Sequence, residues 1–233
     1  MAIDSLQAAP LTIQRTAIAD RIFDELQHQI LSLDLKPGTK VSEADVAKVF
    51  GVSRQPVRNA FFRLSKMGFL DVRPQVASRI SFISEEAVLK ARFIRCALES
   101  KAVKMACDEL SEEDIHALTG QIEQQGKAVE TKASDLFHRL DEDFHREIYE
   151  RAGVGFVWDL IKENKAHMDR VRYQSLPLNL DNAFQCHKKI LAAIKARDKE
   201  WAAREMDLHL SEIFSLLKTV REEYPEYFEE ETA

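Results

Sequence analysis

From Thr16 onward apolar residues recur with helical spacing. Ile18, Ile22, Leu26, Ile30 and Leu33 fall on one stripe and predict a first helix that stops before the Pro37-Gly38 turn. Ser42 followed by Glu43-Ala44-Asp45 reads as an N-cap with an acidic first turn, and Val46, Val49 and Phe50 give a short second helix its apolar face up to Gly51. After the connection Gly51-Val52-Ser53, Ser53 is the expected cap of a third helix through about Met67. Pro56 is tolerated there because first-turn N–H groups have no intrahelical partner. Gly68 ends that helix, and two β-type runs, Phe69 to Val72 and Arg79 to Ile83, flank Arg73 to Ser78 as a hairpin. Three helices and a hairpin predict a winged helix-turn-helix over residues 16–83, preceded by a flexible leader, 1–15, that lacks periodicity.

Every segment after Ser84 keeps a helical period. Helices are expected at roughly 84–108, 112–128, 134–151, 156–175, 181–196 and 199–221, with Ser84, Ser111, Ser134, Asp181 and Asp198 as caps and Gly153 and Gly155 in a break. The fold class is therefore mainly α: the winged module plus an antiparallel, all-α six-helix bundle over 84–221, with an acidic tail at 222–233.

Composition agrees, since a chain with only 7 Gly and 6 Pro and 45% hydrophobic residues builds a helical core. No run nears the roughly 18 apolar residues of a membrane span, and the N-terminus lacks a basic segment followed by an apolar one, so the expected location is cytoplasmic. Cys96, Cys107 and Cys186 are odd in number, lack C-x-x-C spacing, and read as small buried residues of a reducing compartment. Charge divides the chain. Residues 1–83 hold 11 Lys and Arg against 8 Asp and Glu, a net of +3, whereas residues 84–233 net −9. From Val46 to Ile83 stand Lys48, Arg54, Arg58, Arg63, Lys66, Arg73 and Arg79 against Asp71 alone, which points to a polyanion partner for this module only.

In a helix-turn-helix the start of the second motif helix enters the major groove, where the planar fork of arginine matches guanine O6 and N7. Ser53-Arg54-Gln55-Pro56-Val57-Arg58 suits that role: Arg54 and Arg58 share a face, Gln55 offers an amide, and Val57, Ala60, Phe61 and Leu64 are spaced to pack inward. The stretch Leu35-Lys36-Pro37-Gly38, Val41-Ser42-Glu43, Val46-Ala47, Gly51 to Arg58, Leu64 and Gly68-Phe69-Leu70 resembles the N-terminal domain of GntR-family transcription regulators. The resemblance implies that Arg54 and Arg58 are the main DNA-contacting arginines, that Gln55 and Lys48 support them, that Ser53 opens the reading helix, and that the hairpin from Arg73 to Arg79 is the wing. The wing departs from the family pattern at Ala77, where a glycine is usual.

In the bundle, Asp141 and His145 lie one helical turn apart and project from one face. His187 and His209 sit on the last two expected helices, about 11 residues either side of a turn near Arg197-Asp198. At 1.5 Å per residue both rise roughly 16 Å from that turn and so stand at one height. One carboxylate and three imidazoles suit a divalent first-row ion, zinc foremost and nickel next. The Asp-x-x-Phe-His pattern with two later histidines 22 apart also resembles the metal-site signature of the FadR-type C-terminal effector domain, FCD. The same resemblance matches Arg95-Cys96-Ala97-Leu98-Glu99 to an Arg-x-x-x-Glu pattern and implies a small organic-acid effector, gripped by Arg95 and Arg92 with Arg172 and Tyr173 in the pocket wall. A count of six helices points to the VanR-like branch.

These readings converge on a homodimeric regulator, expected to be a repressor and not an enzyme, that binds a pseudo-palindromic double-stranded operator and changes affinity when an acid enters the bundle. Two alternatives stand beside it: a metal-sensing repressor with no organic effector, and a metal-dependent hydrolase or lyase.

Overall fold

The computed structural model describes residues 13–72 and 77–229. The chain divides into two compact units, Met1–Ser81 and Phe82–Ala233, and each is treated by itself below.

In the first unit α1 (Ile13–Leu31), α2 (Glu43–Phe50) and α3 (Arg54–Lys66) enclose a small core, while β1 (Lys40–Val41), β2 (Leu70–Asp71) and β3 (Ser78–Ile80) form an antiparallel sheet ordered β1-β3-β2. Ile22, Leu26 and Ile30 are buried as the stripe requires and meet Val57, Ala60, Phe61 and Leu64 of α3, with Phe69 and Ile80 beneath. The β2–β3 pair is the expected hairpin, with Leu70 opposite Ile80 and Asp71 opposite Arg79. β1 adds a strand that two residues, Lys40 and Val41, are too few to announce by periodicity; it is held by pairing with Arg79 and Ser78.

Ser42 caps α2 as expected, its side chain accepting from the Asp45 amide, and Gly51 ends that helix at φ 65, a left-handed conformation that glycine adopts without a Cβ penalty. Two expectations fail here. Ser53 occupies the N-cap position of α3 but its side chain makes no capping hydrogen bond. Val49, assigned to the buried face of α2, is 82% exposed, because the short helix turns only Ala47 fully inward.

The second unit is all-helical: α4 (Glu85–Glu109), α5 (Glu112–Glu130), α6 (Ser134–Arg151), α7 (Phe156–Asn164), α8 (Ala166–Lys195), α9 (Lys199–Ser211) and α10 (Ile213–Glu223), then a 3-10 turn at Pro225–Tyr227. Ser84, Ser111 and Asp198 cap α4, α5 and α9, and Ser111 with Asp114 forms a reciprocal capping box. Among the described residues the bundle thus has seven α-helices rather than six, and the VanR-like placement loses the count on which it rested.

The differences have local causes. α8 runs straight through Pro177, and Asp181 lies inside it instead of capping a new helix. A proline inside a helix costs about 3 kcal/mol. Burial of Leu176, Leu180 and Ala183 against Phe137, Leu140 and Ala128 spans the proline on both sides and offsets that cost. The break falls earlier, at Lys165, whose side chain turns inward to Glu142 and Asp169. A second break, at Glu212, divides the expected last helix, and Ser134 is the first residue of α6 rather than its cap. The core between α4, α5, α6, α8 and α9 packs Val103, Leu118, Phe144, Ile148, Ile190, Ile194 and Met206. Among the described residues no helix is long and apolar enough to cross a membrane.

Candidate functional site

α6 supplies Asp141 and His145, α8 supplies His187 and α9 supplies His209, and one ligand atom from each lies within 4.8 Å of every other. The imidazoles meet through the same ring nitrogen: His145 Nε2 is 3.1 Å and His187 Nε2 3.3 Å from His209 Nε2, with Asp141 Oδ1 3.4 Å from His187 Nε2. Asp141, His145 and His187 are buried and His209 is half-buried.

The surrounding partners bias which nitrogen carries the proton. Glu99 Oε2 stands 2.6 Å from His145 Nδ1, and a carboxylate so close favours a proton on that nitrogen, leaving Nε2 as the one turned to the cluster. Gln125 Nε2 donates to the Leu140 carbonyl at 3.1 Å, which leaves its Oε1 to accept from His187 Nδ1 at 2.8 Å. His187 Nε2 is likewise turned to the cluster. Three imidazole nitrogens and a carboxylate gathered at one point are a donor set that suits a cation, and outer partners that orient ligating imidazoles are what such sites require.

Charge is arranged to match. Burial alone would raise the pKa of Asp141, but Arg172, followed by the three imidazoles, holds the carboxyl well below its usual range. Burial pushes His187 down to about 3 and His209 well below the ordinary histidine value, so both rings stay neutral at physiological pH. Neutral rings and an ionised carboxylate are the ligand forms a divalent ion takes.

A small cavity of about 30 Å³ opens beside these groups, lined by Arg95, Asp141, Arg172, Asn179 and His209 and, from the α9–α10 junction, by Leu210, Glu212, Ile213 and Leu216. Arg95, fully buried, gives its Nε to Glu99 at 2.5 Å, while its Nη1 meets the thioether of Met168 at 3.9 Å, a weak acceptor. Arg172 also lines the cavity but is engaged with Asp141, with Glu142 at 3.0 Å and with Asp169 at 3.5 Å. Arg92 and Tyr173 are not brought to this cavity. Arg92 bonds Ser211 Oγ at 2.7 Å and lies over the Phe214 ring, because it is one residue off the buried stripe of α4. Tyr173 points outward, its hydroxyl donating to Asp135.

Two groups at the site escaped the sequence reading. Gln125 carries a signal, since it continues the spacing of Leu118 and Ile122 on α5 and so places an amide in an apolar stripe. Lys165, buried between Glu142 Oε2 at 2.5 Å and Asp169 Oδ2 at 2.6 Å, carries a weaker one, since Asp169 is one turn later but Glu142 lies on another helix.

In the first unit, burial of Val57, Ala60, Phe61 and Leu64 turns Arg54, Gln55 and Arg58 outward. Arg54 and Arg58 are 63% and 59% exposed, and both reach Glu43 on the first turn of α2, at 3.4 and 3.3 Å. Gln55 donates to Asn59 Oδ1 at 3.4 Å, and Ser53 and Lys48 are exposed on the same two-helix motif. Arg79 is exposed on β3, while Arg73 lies outside the described residues.

Comparison with known proteins gives a consistent picture. The family model described as bacterial regulatory proteins, gntR family, matches residues 18–80, and that of the FCD domain matches residues 91–212. The chain is 35% identical over 216 residues to the HTH-type transcriptional repressor RspR of Escherichia coli K12, covering 92% of this chain and 95% of that one. It is 26% identical over 192 residues to the HTH-type transcriptional regulator McbR of the same strain, covering 81% and 87%. Among solved structures, E. coli McbR/YncC superposes with a TM-score of 0.72 at 24% identity, covering 87% of this chain and 97% of that one, a likeness of fold.

Proposed function

Because the chain belongs to the gntR family of bacterial regulatory proteins, and so is a DNA-binding regulator of transcription, we propose that its second unit senses a small carboxylate through a divalent ion held by Asp141, His145, His187 and His209. The observation that carries this reading is the convergence of ring nitrogens backed by Glu99 and Gln125, next to a cavity lined by Arg95, whose Nη1 meets the weak acceptor of a thioether. Such an ion, zinc foremost and nickel next, supplies a Lewis acid for a carboxylate. Arg95 is placed to bind that carboxylate by paired N–H donors while Glu99 holds its Nε. The same set of residues and the match to the FCD domain model support a FadR-type grouping.

Two such chains would read a pseudo-palindromic operator, with Arg54, Arg58 and Gln55 on base edges and Lys48 and Arg79 on the backbone, Ser53 opening the reading helix and Arg73 belonging to the wing. Repression is the sign favoured by analogy with RspR. The effector changes operator affinity only by the difference in its affinity for the two conformations, and α4, which begins at Glu85 and carries Arg95, is one element placed to report occupancy.

A thermal-shift screen of the metal-quantified protein against small carboxylic acids tests the reading, since a ligand of the folded state alone raises stability by RT ln(1 + [L]/Kd). A shift that disappears with chelator and in Arg95→Ala, with operator binding retained, is the expected result; shifts unaffected by either would defeat it. One observation favours a second reading, sensing of the metal itself: a cavity of about 30 Å³ has room for waters and not for an organic acid unless α10 yields. DNA affinity that follows free metal with no acid present would select that reading.

A further inference from the structure

The C-terminal segment is built into the second unit at the point where the chain enters it. Ile83 N–H donates to the Tyr227 carbonyl at 2.8 Å and Glu229 N–H donates to the Ile83 carbonyl at 3.0 Å, a parallel bridge that pairs Ile83 with Phe228. Ile83, Tyr227 and Phe228 are all buried. Arg221, near the end of α10, is ion-paired with Glu85 on the first turn of α4, and its guanidinium lies 5.5 Å over the Phe228 ring.

The other side of this linker is fastened as well. Ser84 N–H donates to His167 Nδ1 at 3.1 Å, and Arg170 Nη2 donates to the Phe82 carbonyl at 3.3 Å, both from α8. Three consecutive residues, Phe82 to Ser84, thus have backbone groups tied to α8 on one side and to the C-terminal segment on the other. A segment outside regular structure stays ordered only where contacts offset the roughly 1–2 kcal/mol of backbone entropy that fixing each residue costs. Here buried aromatic residues and two backbone hydrogen bonds hold residues 227–229 in place.

What precedes the segment gives it meaning. α10 is separated from α9 by Glu212 alone, and Ile213 and Leu216 of its first turn and Glu212 itself line the small cavity beside Arg95 and His209. From the cavity α10 runs as an 11-residue helix to Glu223, with only Tyr224 to Glu226 between it and Tyr227. We propose that residues 224–229 form a strap that couples α10 to the linker at Ile83, so that the state of the cavity is transmitted to the DNA-binding unit through the C-terminus as well as through α4. The transmitting part of this inference rests on the sensing role proposed above; the clamping part does not.

Hydrogen–deuterium exchange with peptide-level readout on the full chain tests both parts, using Zn²⁺ as the probe. Without any metal, a chain ending at Tyr224 should exchange the Ile83 amide at least about tenfold faster than the full chain, with α-helical circular dichroism otherwise retained. Phe228→Ala, which keeps the backbone bridge but removes the buried ring, serves if the shortened chain does not fold, and should accelerate the same amide by a smaller factor. With Zn²⁺ the full chain should show changed exchange in both 213–223 and 82–86, whereas both variants should keep the response in 213–223 and show a smaller one at 82–86, the part that α4 carries. Linker exchange unchanged by both variants overturns the clamp, and a Zn²⁺ response at 82–86 as large without the strap as with it overturns the transmission. A full chain that binds no Zn²⁺ defeats the sensing proposal and with it the transmission, and the metal-free comparison still decides whether the strap holds the linker.

Discussion

Replacing His209 by alanine is the cleanest test of the metal centre, because of what the four ligands touch. Removing Asp141 takes one of three carboxylates from Arg172, and removing His145 or His187 leaves Glu99 Oε2 or Gln125 Oε1 buried without its imidazole, so those variants would lose stability for reasons unrelated to a metal. His209 Nδ1 has no hydrogen-bond partner among the described residues, and the ring is half-buried, so its truncation leaves a small space and no orphaned charge. At a free ion concentration of about 100 times Kd the intact site should gain about 2.7 kcal/mol. For a chain of this size each kcal/mol moves Tm by roughly 2–4 °C, so the midpoint should rise by about 5–11 °C over a chelated control. Loss of outer-shell partners alone weakens metal sites by about 10–100-fold. If losing a ligand costs at least the upper figure, the same ion concentration equals Kd, and the gain falls to RT ln 2, about 0.4 kcal/mol and a Tm rise of roughly 1–2 °C. Differential scanning fluorimetry with parallel metal quantification measures both. A metal-dependent rise in His209→Ala equal to that of the parent chain would refute the assigned ligand set.

Three further outcomes follow from the same structure. Burial holds His187 and His167 near pKa 3 and His209 well below its ordinary value. The unfolded chain binds protons at these groups that the native chain does not, so metal-free stability is full above about pH 6.5 and declines as pH falls toward 3, by about 1.4 kcal/mol per pH unit for each such histidine; urea midpoints at pH 7.5 and 5.5 that coincide would contradict it. Glu99→Ala should cost about 3–5 kcal/mol, since it leaves Arg95 buried without its partner, whereas a loss under about 1 kcal/mol in denaturant titration would mean that the pair is not formed. Arg58→Ala should weaken operator binding by about 1–3 kcal/mol with relaxed preference at one position, measured by anisotropy on sequences selected from random DNA; equal losses on operator and random DNA would make it a phosphate contact instead.

The parts of the fold that the sequence discloses are those set by neighbours along the chain. The spacing of Val57, Ala60, Phe61 and Leu64 orients α3, and the acceptors at Ser42, Ser84, Ser111 and Asp198 locate four helix starts, since a cap and its target amide are three residues apart. The failures are those set by distant partners. Pro177 and Asp181 carry local signals for a break, yet the helix persists because Leu176 and Leu180 are buried by α5 and α6. The break moves instead to Lys165, where inward pairing with Glu142 and Asp169 outweighs continuation.

The site divides along the same line, and Arg92 and Arg95 show how. Both are arginines on α4, one turn apart, and the resemblance offers both to the effector. Val88, Ala91, Arg95, Glu99, Ala102 and Ala106 are buried at spacings of three and four, a single helical stripe that includes Arg95 and excludes Arg92. A guanidinium standing in an otherwise small and apolar stripe has to be paired, and Glu99 one turn later on that stripe is the partner that makes its burial possible. The same pair sets the His145 ring from behind. The inward arginine, the carboxylate that holds it and the imidazole that carboxylate orients thus form one connected unit, so the effector-facing and metal-facing parts of the site cannot be altered independently at Glu99.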